Sequence, residues 1–360
     1  MTETFDRPRE LTGDASLNHV VLGPAGSIGV EGRLAQDACS RDALHALAAD
    51  LGLPGLRRDR LADDLARAAA SSDAEAARSA AAVLHAFGMR LGALVATLRD
   101  PATAERQGST PHRRAFLARW TAVERVWFGG GLLAGGCGPL VLEGARATAG
   151  LAPHPCPVAV SPRPELAPLI GAARHVPAGS GAEAAVVADL GHTRIRTAVA
   201  ERHDGTLRRL RHLRAGPVPR RPGADAVEAA VAAALAAAVR DAAGPASKRV
   251  RVVVSVASFV RDGLPADDGQ GIYGCLAARA PALLRAVRNA AGVSADLRFL
   301  HDGTAAASAG GGPGDAAITA GTWLGVGFAP SGGPPPLAVP RRGLPVAWAD
   351  EAGPPPGALG

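Results

Sequence analysis

Two stretches decide the fold: LRFLHDGTAAA at residues 297–307 and ITAGTWLGVGF at residues 318–328. In the first, an apolar run ends at His301 and Asp302, and the small residues after it predict a helix. In the second, two apolar runs flank Gly321 and Thr322, which predicts a hairpin with a glycine in its loop. An acid at a strand end is thus followed, about twenty residues on, by a glycine-containing hairpin.

The chain just before these stretches alternates strands and helices. Strands are predicted at 185–189, 194–200, 206–213, 250–256 and 297–300, and helices at 225–243 and 280–291. Asp204-Gly205 predicts a hairpin turn, so the first three strands form an antiparallel meander. This β-β-β-α-β-α order resembles the ribonuclease-H-like unit that actin-like ATPases use twice, once per lobe.

The part of the chain before residue 177 predicts a second set of elements. Ser40 caps a helix that ends near Leu51, and the capping box Ser72–Glu75 begins a longer one. The remaining elements are strands at 18–22, 126–128 and 158–161 and helices at 113–125, 139–149 and 165–174. Residues 177–181 read as a linker, and the tail from Pro330 is expected to lie on the surface.

Composition indicates a soluble protein of a reducing compartment. The hydrophobic fraction is 47% and the charged fraction 20%. Its four cysteines form no CxxC pair, so neither zinc nor disulfides are expected and a cytoplasmic location is favoured. No signal peptide and no membrane span are expected. Nucleic acid is not an expected partner, because the arginines are scattered and aromatic residues make up only 3%.

Residues 189–194, DLGHTR, predict a phosphate loop at a strand end. Such a loop needs small residues, so that backbone N–H groups approach phosphate oxygens, with a hydroxyl and an acid that organises Mg²⁺. Asp189, Gly191, Thr193 and Arg194 are the candidates, with Asp189 acting on Mg²⁺ indirectly. The alternative is a tight hairpin with a capped aspartate.

Residues 301–307 resemble the N-D-A-N-A-A-A segment of the ROK family of sugar kinases, and this resemblance implies that Asp302 is the catalytic base. A sugar hydroxyl is a poor nucleophile, and a carboxylate within hydrogen-bond reach can accept its proton during phosphoryl transfer. The alternative is that Asp302 only caps the following alanine-rich helix. Residues 318–328 resemble the second phosphate loop of that family, which implies phosphate contacts for Gly321, Thr322 and Gly325. Residues 126–132 resemble the strand and turn where the family's nucleotide lies, which implies that Gly129, Gly130 and Gly131 flank a nucleotide.

Together these motifs resemble the ROK family of sugar kinases. Its patterns are D-x-G-G-T-K/R, N-D-A-N-A-A-A, I-T-x-G-T-G-x-G-x-G and I-V-L-G-G-G-V, with a closing L-I-G-A-A helix that resembles residues 169–173. Here the halves occur in swapped order. The resemblance implies a two-lobed actin-like ATPase fold, of the α/β class and circularly permuted. Residues 15–176 would form a large lobe and 184–310 a small lobe, while 311–360 would return to the large lobe as the second phosphate hairpin and tail.

Several positions depart from the family pattern. His192 and Trp323 stand where the two phosphate loops have glycine, His301 replaces an asparagine, and Ser16 replaces the sugar-binding glutamate. The family's zinc-binding cysteine loop is absent. His19 remains a candidate for touching a sugar hydroxyl, with a structural role at a strand end as the alternative. Ser16, His19, His301 and Asp302 are therefore the candidate substrate-binding residues.

The resemblance implies an ATP- and Mg²⁺-dependent kinase acting on a hydroxyl of a sugar, an amino sugar or a cyclitol. The alternative is a non-catalytic relative that binds a sugar or nucleotide as a sensor or assembly partner. A homodimer stays open as an assembly. The expected partner is a small molecule rather than a membrane or nucleic acid.

Overall fold

The structure is a computed structural model. It describes residues 15–24, 28–176, 183–191, 194–219, 223–243, 249–258, 260–261, 263–265, 274–330 and 344–349. These residues form two compact units. The six-stranded unit comprises the described residues of Pro168–Ala309 and Pro330–Pro355, and the four-stranded unit comprises those of Arg9–Ala167 and Gly310–Ala329.

The described residues form eleven α-helices and twelve strands. The helices are α1 Ala35–Cys39, α2 Arg41–Asp50, α3 Leu61–Ala69, α4 Ala74–Arg99, α5 Ala102–Gln107, α6 Pro111–Arg119, α7 Cys137–Ala149, α8 Ala167–Arg174, α9 Ala224–Ala242, α10 Gly274–Ala291 and α11 Asp302–Gly310. The strands are β1 Arg125–Gly129, β2 Val158–Val160, β3 Glu183–Leu190, β4 Arg194–His203, β5 Thr206–Pro217, β6 Arg249–Val256, β7 Val260–Arg261, β8 Leu264–Pro265, β9 Ser294–His301, β10 Asp315–Ala320, β11 Leu324–Phe328 and β12 Val346–Trp348.

The six-stranded unit is built on one mixed sheet in the order β12-β5-β4-β3-β6-β9. Strand β4 is antiparallel to β3 and β5, whereas β3, β6 and β9 are parallel to one another. The predicted β-β-β-α-β-α order is confirmed. The predicted turn at Asp204-Gly205 is also confirmed, since both residues have positive φ angles, 48° and 68°. Apolar residues of α9 and α10 pack on the strands as the core of this unit.

The four-stranded unit carries a smaller sheet in the order β11-β10-β1-β2. Strand β1 is parallel to β10 and β2, and the predicted hairpin of β10 and β11 is confirmed. Helices α4 and α7 cross backbone to backbone: a Cβ on Gly88 would lie 2.0 Å from the Val141 oxygen, and one on Gly144 would lie 2.0 Å from the His85 oxygen. Glycine at these positions therefore sets the helix spacing.

Helix α4 is long and apolar enough to cross a membrane by length and composition, in contrast to the expectation from sequence. Two thirds of its apolar window, 67%, is buried within the fold, as for the core helix of a globular protein. Its N-cap is Asp73, which accepts from the backbone N–H groups of Glu75 and Ala76, rather than the predicted Ser72. The Ser40 cap of α2 is confirmed, because Ser40 Oγ accepts from Ala43 N.

The predicted strand at Asn18–Leu22 is wrong. These residues form a turn and a single bridge between Val21 and Leu34. Side-chain amides replace strand partners: the Gln107 amide pairs with both backbone groups of Val21, at 2.9 and 2.7 Å. Local alternation of apolar residues cannot reveal that distant side chains will satisfy a backbone in this way.

Two other predictions needed adjustment. The helix predicted at 113–125 is α6, which ends at Arg119 and continues as a 3₁₀ turn at Trp120–Ala122. The tail contributes β12, which pairs in parallel with the edge strand β5, so residues 346–348 do not merely lie on the surface. The predicted linker at 177–181 lies outside the described residues.

Candidate functional site

The carboxyl ends of three parallel strands bring the main candidates of the six-stranded unit together. Asp189 on β3 lies opposite Ser255 on β6, and the next residue of β6, Val256, lies opposite His301 on β9. Asp302 follows β9 directly as the first residue of α11. The carboxyl ends of parallel strands are where ligands bind in open α/β sheets. Register therefore places both predicted carboxylates at one edge.

Asp189 is held by two side-chain contacts. Arg196 Nη1 lies 3.2 Å from Asp189 Oδ2, and Ser255 Oγ donates to Asp189 Oδ1 at 3.3 Å. Burial raises the pKa of the Asp189 carboxyl, Arg196 opposes this rise, and the negative charge of Asp302 adds to it. The effect of Asp302 on this pKa means that the two carboxylates interact.

Asp302 and His301 share a small hydrogen-bond network. Asp302 Oδ1 accepts from Gly303 N at 2.6 Å and lies 3.4 Å from His301 Nε2. Thr304 N donates to His301 Nδ1 at 3.4 Å, and burial lowers the pKa of His301 to about 4. The imidazole is therefore neutral at pH 7 and carries its hydrogen on Nε2, facing Asp302. At the start of α11, Gly303 N and Thr304 N are thus bonded to the side chains of Asp302 and His301, respectively.

Helix α8 packs closely against helix α11, which begins with Asp302. A Cβ on Gly171 would lie 1.7 Å from the Ala305 oxygen, so only glycine permits this approach. One turn further on, His175 Nε2 contacts Ser308 Oγ at 2.7 Å, and Arg174 donates to the Ser308 carbonyl. The predicted L-I-G-A-A helix thus packs against the helix that carries the candidate base.

The predicted first phosphate loop is described only at its ends. Gly191 N donates to Arg194 O at 2.9 Å, which closes the β3–β4 hairpin, and Arg194 is the first residue of β4. Thr193, a candidate hydroxyl donor, and His192, the departure from glycine, lie outside the described residues. Their roles remain predictions.

The predicted second phosphate loop lies in the four-stranded unit, at residues 321–323 between β10 and β11. A Cβ on Gly325 would lie 2.2 Å from Thr319 Oγ1, which explains the need for glycine there. Thr322 Oγ1 accepts from Arg41 Nη2 at 2.7 Å, and Gly321 O accepts from Arg41 N at 2.9 Å. The Trp323 side chain is 56% exposed, so its bulk lies largely in solvent.

The glycine run at 129–131 follows β1, as predicted. Gly130 has a φ of +99°, and a Cβ there would lie 2.2 Å from the Ala320 oxygen, so a side chain is excluded. Gly131 begins a 3₁₀ turn that ends at Leu133, whereas Gly129 is the last residue of the strand. The run brings β1 close to the end of β10, beside the loop of the β10–β11 hairpin.

Ser16 and His19 also belong to the four-stranded unit. Ser16 Oγ accepts from Asn18 N, at 3.2 Å, and from Asn18 Nδ2, at 3.1 Å, and the carbonyls of Ser16 and His19 both accept from the buried Arg113 guanidinium. The His19 side chain is exposed. The candidate substrate role of these two residues is not tested by this geometry.

The donor set at the sheet edge fits Mg²⁺ held largely through water and phosphate. Mg²⁺ usually takes one or two carboxylates together with substrate phosphates, and Asp189 and Asp302 supply two carboxylates. Each Asp189 oxygen has a protein donor, which favours an indirect contact. Within the described part of the chain, no group of three or more His, Cys, Asp or Glu side chains could hold a metal on its own.

Sequence reasoning missed four residues that shape these sites: Arg196, Ser255, Arg41 and Asn18. Arg196 and Ser255 could have been found from strand pairing, because both lie opposite Asp189 on the neighbouring strands β4 and β6. Arg41 and Asn18 contact a hairpin that lies 281 and 306 residues further along the chain, and no local pattern signals such contacts.

No family model matches this chain, and no curated protein sequence matches it. Among solved structures, the inorganic polyphosphate/ATP-glucomannokinase from Arthrobacter sp. strain KM shows partial similarity, with 21% sequence identity and a TM-score of 0.30. The match covers 41% of this chain and 58% of that kinase. A likeness of this extent assigns neither a family nor an activity.

Proposed function

We propose that this protein is an ATP- and Mg²⁺-dependent kinase that phosphorylates a hydroxyl of a sugar, an amino sugar or a cyclitol. The observation that carries the proposal is the pair of carboxylates, Asp189 and Asp302, at the carboxyl ends of β3 and β9 in one sheet. The ribonuclease-H-like assignment of that unit and the permuted ROK arrangement belong to the same proposal. The strand order around β3 and the hairpin of β10 and β11 support both.

In the proposed reaction, Asp302 is the base. Its carboxylate accepts the proton of the substrate hydroxyl as the hydroxyl oxygen bonds to the γ-phosphorus, and the bond from that phosphorus to the β–γ bridging oxygen breaks, releasing ADP. Gly303 N donates to Asp302 Oδ1, and Nε2 of the neutral His301 ring lies 3.4 Å from the same oxygen, so that both orient the carboxylate without adding positive charge. A bound Mg²⁺ would neutralise phosphate charge during transfer.

The remaining candidate residues have binding roles. Gly191 and Thr193 in one loop, and Gly321 and Thr322 in the other, would contact phosphates, and Gly129–Gly131 would flank the nucleotide. Asp189, kept in place by Arg196 and Ser255, would organise the hydrated metal. Ser16 and His19 would contact the substrate.

A second candidate function is a sugar- or nucleotide-binding protein without turnover. Trp323 favours it, because a tryptophan occupies a loop position at which the kinase pattern has glycine for close phosphate approach. The Arg196–Asp189 ion pair also favours a binding protein without turnover, because Arg196 occupies the carboxylate that a kinase would use to organise Mg²⁺.

Sugar-dependent ADP formation tests the proposal against this second candidate. Purified protein with ATP and Mg²⁺ is assayed against hexoses, amino sugars and cyclitols, with ATP alone as the blank. If the protein is a kinase, ADP should form only in the presence of one substrate class, and a phosphorylated product should form in equal amount. Thermal shifts with both ligands but no ADP formation would instead support the binding protein, because ligands that bind the folded state raise its melting temperature.

A further inference from the structure

A groove on the four-stranded unit lies between the loop at residues 55–57, helix α3 and the start of α4, and its volume is about 440 Å³. The residues that line it take no part in the proposed function. Its apolar wall is formed by Leu56, Ala68 and Ala76, and its polar wall by Arg57, Asp64, Arg67 and Ser71. Small-molecule sites have volumes of about 300–1,000 Å³, so the groove can hold a small organic molecule.

The loop that forms one wall of the groove is held in place by hydrogen bonds to α2 and α3. His45 Nε2 donates to Leu56 O at 2.9 Å, and Arg57 N donates to Asp64 Oδ2 at 3.2 Å. The turn that precedes these contacts needs glycine, because Gly55 has a φ of +87°. A wall fixed before binding lowers the cost of ordering it around a ligand.

The charges in the groove do not balance. The Asp64 side chain is 9% exposed and lies between two guanidinium groups: Arg67 Nη1 is 3.0 Å from Oδ1, and Arg57 Nε is 3.6 Å from Oδ2. Among the described residues, neither arginine has a second carboxylate within ion-pair distance. Two positive charges therefore share one negative charge, whereas the neighbouring Arg58 has Asp42 as its own partner.

The groove also offers hydrogen-bond donors that the fold does not use. A guanidinium has five N–H donors, and the Arg67 side chain makes a single hydrogen bond within the described part of the chain. The side chains of Arg57 and Arg67 are 54% and 66% exposed, so a ligand can reach them. Ser71 Oγ accepts from Asp73 N at 3.1 Å, which leaves the hydroxyl hydrogen free to donate.

We propose that this groove binds a small monocarboxylate with an apolar body. The excess of one positive charge matches a single carboxylate rather than a doubly charged phosphate, and a planar guanidinium matches the two oxygens of a carboxylate. The apolar body lies against Leu56, Ala68 and Ala76. Because the groove shares no residue with the candidate active site, the proposal holds whether or not the protein is a kinase.

Titration calorimetry on the full chain tests the groove with butyrate, hexanoate and benzoate, each compared with the amide of the same acid. At least one of the three carboxylates should bind and raise the melting temperature, because it binds the folded state. Its amide should bind roughly tenfold more weakly or worse, since it cannot form charge-assisted hydrogen bonds with the arginines.

Arg67→Gln removes one of the two guanidinium groups and should weaken carboxylate binding by roughly tenfold. Arg58→Gln is the matched control, since Arg58 lies on the same unit, is 61% exposed and pairs with Asp42 outside the groove. It should bind like wild type. Arg67→Lys keeps the charge but not the planar fork, so it should bind with intermediate affinity. It also serves if the melting temperature shows that Arg67→Gln does not fold.

Ala76→Leu separates a groove from a surface charge effect. It adds apolar volume to one wall and leaves both arginines and Asp64 unchanged. Binding should be lost, because the larger side chain occupies the space of the ligand's apolar body. Undiminished affinity in a folded Ala76→Leu variant would mean that the carboxylate binds the arginines from solvent, and would overturn the proposal.

Other results would overturn the proposal as well. These are the absence of binding of all three carboxylates up to about 10 mM, equal affinity for acid and amide, wild-type affinity in Arg67→Gln, or an equal loss in Arg58→Gln. Inorganic phosphate and a short glutamate peptide are added as competitors. Tighter binding of either one would assign the groove to a phosphate or to an acidic protein segment instead of a small carboxylate.

Discussion

Arg196 and Asp189 form a buried ion pair across neighbouring strands, with 3.2 Å between Nη1 and Oδ2 and side chains only 12% and 6% exposed. Removing one partner of such a pair leaves an uncompensated buried charge, which costs about 3–5 kcal/mol. Arg196→Met should therefore lower the free energy of unfolding by about that amount, as measured by urea denaturation at pH 7.

The double variant Arg196→Met/Asp189→Asn separates loss of charge balance from loss of packing. It removes both charges and should be more stable than Arg196→Met alone. A double variant as unstable as the single one, or a single variant as stable as wild type, would show that the ion pair does not stabilise this edge of the sheet.

The Asn18 side chain replaces a strand partner for Leu324. Leu324 N donates to Asn18 Oδ1 at 2.9 Å, and Asn18 Nδ2 donates to Leu324 O at 3.1 Å. Asn18→Ala should lower the free energy of unfolding by about 1–3 kcal/mol, because two backbone groups lose their partner. Ser16→Ala, which keeps the Asn18 side chain and removes only its bonds to Ser16 Oγ, is the comparison and should cost less. Equal losses in calorimetric unfolding would contradict this account.

Much of the six-stranded unit follows from local sequence. The meander, the turn at Asp204-Gly205 and the alternation of α9, β6, α10 and β9 all follow from periodic apolar residues and turn chemistry, and the structure confirms them. The carboxyl-end positions of Asp189 and Asp302 follow in turn, since strand direction decides which residues meet at an edge.

Other features depend on contacts that no short window of sequence contains. The segment at Asn18–Leu22 alternates like a strand, yet the Gln107 side chain, distant in the chain, pairs with the backbone of Val21, and the Asn18 side chain pairs with the distant Leu324. The Arg41–Thr322 contact and the addition of β12 to the sheet edge are of the same kind. Pairing of remote groups is decided by packing of the whole unit, so composition and periodicity do not reveal it.

Two histidines of the six-stranded unit make its stability depend on pH. Burial lowers the pKa of His175 and of His301 from 6.5 to about 4. Below pH 6.5 the unfolded chain binds protons that the folded chain does not, so stability is lost as the pH falls from 6.5 towards 4. Each histidine contributes up to about 1.4 kcal/mol per pH unit over that window.

His175→Gln tests the contribution of one of them. Glutamine can still donate to Ser308 Oγ but does not titrate, so the free energy of unfolding of the variant should fall less steeply between pH 6.5 and 4. The measurement is urea denaturation at several pH values, with wild type alongside. Parallel pH curves for the two proteins would mean that His175 titrates normally in the folded state.

The central claim is that Asp302 is the base of a sugar kinase, and the turnover of Asp302→Asn tests it most directly. Asparagine keeps the oxygen that accepts from Gly303 N, so stability should change by no more than about 1 kcal/mol. Turnover should fall by about 100-fold or more, with KM little changed, because the lost proton acceptor acts in the transition state. Asp296→Asn, near the start of β9, the strand that leads into Asp302, is the matched control: its side chain is 39% exposed and the variant should keep wild-type turnover. Active wild type with an equally active Asp302→Asn variant would contradict the account.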